Sequence, residues 1–113
     1  GSGMFGGYRA SKTSTGRLMD RDTAQALGSL MRSNVENQYG DDNFPGLTVC
    51  AKSGTSQLGG EQKSNAMFAG FVENEEYPLA FIAVVENGGY GAATCVPVLS
   101  QVLAQCRAVL DAE

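Results

Sequence analysis

Lys52-Ser53-Gly54-Thr55 sets an ammonium, two hydroxyls and a glycine in four consecutive positions, the densest group of positive charge and hydrogen-bond donors in the chain. Alone the string says little. Such tetrapeptides arise by chance, and a lysine on a strand commonly serves only to discourage edge-to-edge aggregation. Other chemistry is excluded more firmly. Histidine is absent and no Cys-x-x-Cys occurs, so neither a histidine-based triad nor a zinc site has material. Ser11, Ser14, Ser33 and Ser64 have no lysine three residues onward to act as a base. Gly6 to Thr13 comes within one residue of a phosphate-binding loop, but Ser11 stands where the second glycine must be and no hydrophobic strand precedes it. Asp41 and Asp42, adjacent in a glycine-containing stretch, read as solvated carboxylates. Glu86 and Asn87 read as turn and edge residues.

The elements that must position the tetrapeptide follow from periodicity. Leu47 to Thr55 alternates β-prone and small residues and predicts a strand, followed by a loop through Gly59-Gly60 to Lys63. Ala66 to Val72 and Leu79 to Val85 are two more apolar runs, joined by Glu73-Asn74-Glu75-Glu76-Tyr77-Pro78. Their nearly continuous apolar character suits strands covered on both faces. Upstream, Asp20 or Asp22 can cap a helix whose Ala24, Leu27, Leu30, Met31 and Val35 recur at three-and-four spacing. That helix should end before Tyr39-Gly40-Asp41-Asp42-Asn43, and Pro45-Gly46 adds a turn. A second helix carries Val98, Leu99, Val102, Leu103, Cys106, Val109 and Leu110 on one side, with Pro97 in its first turn. The expected fold class is α+β: a three-stranded antiparallel meander with an N-terminal and a C-terminal helix packed on one face. No third helix is left to cover the other.

The 113 residues are 42% hydrophobic and 18% charged, which fits one globular unit burying roughly two thirds of its unfolded surface. A net charge of −4 with eight scattered basic residues argues against a nucleic-acid partner. No run approaches the roughly 20 apolar residues of a spanning helix. Gly1, Ser2 and Gly3 ahead of Met4 read as a cloning remnant, leaving 4–113 as the unit of interest. Cys50, Cys95 and Cys106 are an odd set. The last two, eleven apart on one helix and about 16 Å in rise, cannot bridge, so only a disulfide involving Cys50 is open; three small buried thiols is the simpler reading.

The surroundings of Lys52-Ser53-Gly54-Thr55 add specificity. The motif lies in the first strand of a meander, after Phe44-Pro45-Gly46, and is followed by Asn65-Ala66-Met67-Phe68-Ala69-Gly70-Phe71, Pro78-Leu79-Ala80-Phe81 and Val84-Val85-Glu86-Asn87. From about Arg17 to about Cys106 the chain resembles the C-terminal part of a penicillin-binding protein transpeptidase domain, within the larger serine-transpeptidase and β-lactamase-like fold. In that family a Lys-[Thr/Ser]-Gly strand stands beside Ser-x-x-Lys and Ser-x-Asn motifs, neither of which occurs in these residues. Met67 departs from the tryptophan often found at its position.

The resemblance implies roles. Lys52 would place positive charge beside an acyl-transfer centre. Ser53 and Thr55 would donate hydrogen bonds to the substrate carboxylate, and Gly54 would leave room for the substrate backbone. The Thr55 N–H would form half of an oxyanion hole, a donor worth about 3 kcal/mol. The other half and the nucleophile belong to a serine that is not in this chain, which implies a C-terminal fragment inactive alone, with no metal and no cofactor. The parent would be a peptidoglycan D,D-transpeptidase on the extracytoplasmic face of the bacterial membrane, anchored outside this chain. Its partners would be the stem peptide, β-lactams and the rest of the domain, with self-association open to the isolated piece. β-Lactam receptor modules and serine β-lactamases share the strand, but the Phe-Pro-Gly-Leu-Thr-Val lead-in and Val-Glu-Asn-Gly-Gly exit are more similar to a penicillin-binding protein.

Overall fold

A computed structural model describes residues 11–56, 64–86 and 89–113. The glycine-rich loop after the tetrapeptide, the phosphate-loop-like stretch before Ser11 and the Asn87-Gly88 turn lie outside these described residues. Helix α1 (Arg21–Asn34) starts where the Asp20 carboxylate accepts a hydrogen bond from the Thr23 N–H at 2.7 Å, the predicted cap. The same bond holds the Asp20 carboxyl below its ordinary range. The helix widens into one π-type turn, Val35–Tyr39, closed by Gly40 N–H on the Val35 carbonyl at 2.7 Å. Gly40, at φ 92°, then lets the chain leave the helix axis. Pro45-Gly46 makes the expected turn. The Leu47 N–H donates to the Phe44 carbonyl at 3.1 Å, and Gly46 takes the positive φ of 75° that the third position of a type II turn requires.

Strands β1 (Val49–Ser56), β2 (Asn65–Val72) and β3 (Ala80–Val85) form an antiparallel meander in the order β1-β2-β3. Register runs unbroken from Val49 opposite Val72 to Ser56 opposite Asn65, and from Ala66 opposite Val85 to Phe71 opposite Ala80. Alternation therefore puts Ala51, Ser53, Ala66, Phe68, Phe81 and Val85 on one face, and Lys52, Met67, Ala69, Ile82 and Val84 on the other. Helix α2 (Gly91–Asp111) covers the first face, with Cys95, Val96, Leu99 and Leu103 buried against Ala51, Ala66 and Phe68. Phe68 stacks on Phe81 at 6.1 Å and takes the edge of Tyr39 at 5.0 Å. Val35, Phe44 and Val49 complete this core.

The expected α+β meander with two helices holds, and α1 has a more particular place in it: it lies along β1, with Gly28 over Phe71 at one end and Val35 in the core at the other. Several expectations change. The α1 stripe is not a buried face, since of its five residues only Val35 is buried and Leu30 is 66% exposed. Nor are the strands covered on both sides throughout: α1 shields the outer face at Cys50 and Phe71, but Ile82 is 67% exposed and Val84 52%, so that face lies open along β3. Pro97 sits inside α2, not in its first turn. Val98, Val102 and Val109 are exposed, while Cys95 and Val96 take the inward positions. By length and composition α2 could cross a bilayer, contrary to the sequence expectation, yet its inward residues pack on the sheet as a core helix does. Tyr77, read as part of a polar connection, is buried. Its hydroxyl donates to Asp111, and Arg107 reaches both that hydroxyl at 3.3 Å and the Pro45 carbonyl at 2.9 Å, which ties α2 to two turns.

Two glycines set the packing distances. A Cβ on Gly70 would overlap the Cys50 carbonyl oxygen and stand 2.9 Å from Phe81 Cζ. A Cβ on Gly28 would meet only Phe71 Cζ, at 3.7 Å. Gly70→Ala should thus lower the unfolding free energy by about 2 kcal/mol or more. Gly28→Ala should raise it by about 1 kcal/mol through helix propensity. Urea unfolding midpoints of the two variants check both signs.

Candidate substrate-binding edge

β1 is the end strand of the sheet, so the backbone groups of alternate residues face outward without a neighbouring strand. Side chains from the helical segment take their place. Arg32 donates to the Val49 carbonyl, Asn34 Nδ2 to the Ala51 carbonyl at 3.1 Å, and the Tyr39 hydroxyl accepts the Ser53 N–H at 3.0 Å. Arg32 is itself held by Asp41, with Glu36 3.6 Å away. The spacing is a ladder: residues 32, 34 and 39 answer residues 49, 51 and 53. The same alternation turns the Thr55 N–H to this edge, and among the described residues no side chain continues the ladder there.

The four sequence-predicted residues therefore meet where the closed edge ends. Lys52 projects from the open face, but its ammonium bends around the edge to donate to the Ser53 carbonyl at 2.8 Å. Ser53 is half-buried, with Oγ 2.9 Å from the Tyr39 hydroxyl. Gly54 and Thr55 are exposed. Nothing among the described residues demands glycine at 54, since a Cβ there would meet only Met67 Cβ at 3.8 Å, an ordinary contact. Gly91 differs. A Cβ on it would lie 2.5 Å from the Gly54 carbonyl oxygen and 2.6 Å from that of Met67, so α2 begins in direct contact with the backbone of the paired strands. Of the acidic residues weighed in the sequence, Asp41 serves Arg32 instead of standing as a bare solvated carboxylate.

Arg32, Asn34 and Tyr39 were not singled out by sequence reasoning. Tyr39 read as part of a turn cluster, and the only available signal was polar residues at the end of an amphipathic helix. Behind the site, Cys50 is buried on the α1 side of β1. Burial, reinforced by Glu73, pushes its thiol up to about 12. Burial also raises Cys95. All three cysteines are free thiols and Cys106 is half-buried, which closes the question of a bridge to Cys50.

The fold is thus an α+β meander whose end strand opens at a lysine, two hydroxyls and a glycine. The chain belongs to the penicillin-binding protein transpeptidase domain family, whose model matches residues 4–104. This carries the similarity from Arg17 back to Met4. No curated protein matches the chain, and no solved structure matches it.

At pH 8 a thiol reagent should modify Cys106 readily and reach Cys50 and Cys95 only on unfolding. The raised Cys50 value stabilises the fold fully below the ordinary thiol value of 9.0. That contribution is lost as pH rises from there through about 12. Mass spectrometry of the labelled chain, before and after urea, distinguishes the three sites.

Proposed function

We propose that this chain supplies the substrate-binding edge of a peptidoglycan D,D-transpeptidase, and that the acyl-accepting serine comes from a part of the domain outside these residues. The single observation that carries the reading is the interruption of the edge ladder. Upstream of Ser53 the β1 edge is closed by the chain's own side chains, and at the exposed Gly54 and Thr55 it opens.

An extended peptide ending in a carboxylate would add to that edge as a further strand. Gly54 would let its backbone lie close, Ser53 and Thr55 hydroxyls would hold its carboxylate, and the Lys52 ammonium would supply charge beside the reacting carbonyl. The Thr55 N–H would be one donor to the oxyanion of the tetrahedral intermediate, the serine N–H the other. A β-lactam, which carries a carboxylate next to a strained amide, would enter by the same contacts. The family's Ser-x-x-Lys and Ser-x-Asn motifs are not among these residues, so the chain alone forms no acyl-enzyme. We place the complete protein outside the cytoplasmic membrane, where its cross-linking substrate lies.

The uncovered outer face fits the same reading. Ile82, Val84, Leu27 and Leu30 are exposed, and a groove of about 580 Å³ runs between α1 and Phe71. We assign this surface to the remainder of the domain, because the family's missing motifs must be carried by structure packed close to β1. Without it, the isolated chain should self-associate through the apolar face. A mass that stays monomeric across concentration in light scattering would count against this.

A fluorescent penicillin should leave the isolated chain unlabelled, and stoichiometric labelling would sink the proposal that its nucleophile lies elsewhere. In the complete domain, Lys52→Ala should slow acylation by about a hundredfold or more. Gly54→Ala should slow it while leaving the thermal midpoint close to that of the parent, separating ligand approach from folding.

A further inference from the structure

Among the described residues, Tyr39 is the side chain that hydrogen-bonds to the proposed carboxylate-binding group and has no part in the roles assigned above. Its hydroxyl meets Ser53 twice, accepting from the N–H at 3.0 Å and lying 2.9 Å from Oγ. Its position is well determined. The ring packs edge-on against Phe68 at 5.0 Å, and Asn43 Nδ2 binds the Tyr39 carbonyl at 2.7 Å. The residue closes the π-type turn, an irregularity that ends the helix one residue later than regular α-helical spacing would.

We propose that Tyr39 is a positioning residue for carboxylate recognition, orienting the Ser53 hydroxyl as an outward hydrogen-bond donor. The phenol oxygen already accepts the Ser53 N–H, and the phenol has a single proton to give. If Ser53 Oγ donated to Tyr39, the phenol proton would have no protein partner among the described residues and, at a half-buried site, only water to bond. With the phenol donating to Oγ, every group in the ring is satisfied and the Ser53 proton is released toward the open edge. The phenol thus also fixes the Ser53 rotamer. The anion it prepares for is the carboxylate that the proposed function brings to this edge, and the inference rests on that reading.

Tyr39→Phe removes the hydroxyl and keeps the ring against Phe68. In the 113-residue chain, this substitution should accelerate amide hydrogen exchange at Ser53, and unchanged protection there would overturn the proposal. In the complete transpeptidase domain the probes are benzylpenicillin and its methyl ester. The variant should lose about tenfold in acylation by the acid and less than about twofold with the ester. Adding Tyr39→Phe to Ser53→Ala should cost nothing further with the acid, since the phenol reaches the carboxylate only through the Ser53 hydroxyl. Equal losses on acid and ester, or additive losses in the double variant, would mean a merely structural role and overturn the positioning claim. If the unsubstituted complete domain takes up no penicillin, the proposed function fails and this inference falls with it. Normal uptake with an unaffected variant defeats the positioning claim alone.

Discussion

The closure of an unpaired strand edge by side chains is the constraint around which the molecule is arranged. A terminal strand needs partners for every second residue, and here three residues of one helical segment supply them through a guanidinium, an amide and a phenol. This fixes α1 alongside β1, for Arg32 and Asn34 can reach the Val49 and Ala51 carbonyls only from beside the strand. Tyr39, the last residue of the π-type turn, is the one that reaches Ser53. An edge satisfied this way does not invite another chain until Gly54, where side-chain satisfaction of the backbone stops.

The rest of the core serves to hold that strand. Phe68 links the arrangement, touching Tyr39 on the edge side and Phe81 on the β3 side while α2 covers it from above. Arg107 and Tyr77 bind the far end of α2 to the Pro45 turn and the β2–β3 connection. Burial is one-sided. The inner face carries the core, while the outer face is covered only at Cys50 and Phe71, under α1, and lies open at Ile82 and Val84.

Much of this was legible in the chain, for reasons that are local. Asp20 is a cap because carboxylates accept from helix-terminal N–H groups wherever they stand, and Pro-Gly makes a type II turn without help from its surroundings. The three strands and the Lys52 to Thr55 motif follow from composition and order. What was not legible depends on contacts across the fold. The α1 stripe has perfect spacing for a buried face, yet Leu27 and Leu30 are exposed because periodicity reports amphipathicity and not the presence of a partner. Tyr77 lies in a polar run, yet it is buried with the core and its hydroxyl donates a hydrogen bond to Asp111, 34 positions away. Tyr39 escaped notice for the same reason, since its contact with Ser53 spans a helix end, two turns and a strand.

Gly91 allows the first residue of a 21-residue helix to rest on the Gly54 and Met67 backbones with no side chain between. Such contact leaves no soft layer to absorb displacement. Any side chain at position 91 would have to push the start of α2 off the strand pair, so the seating of this helix end depends on the absence of a single Cβ.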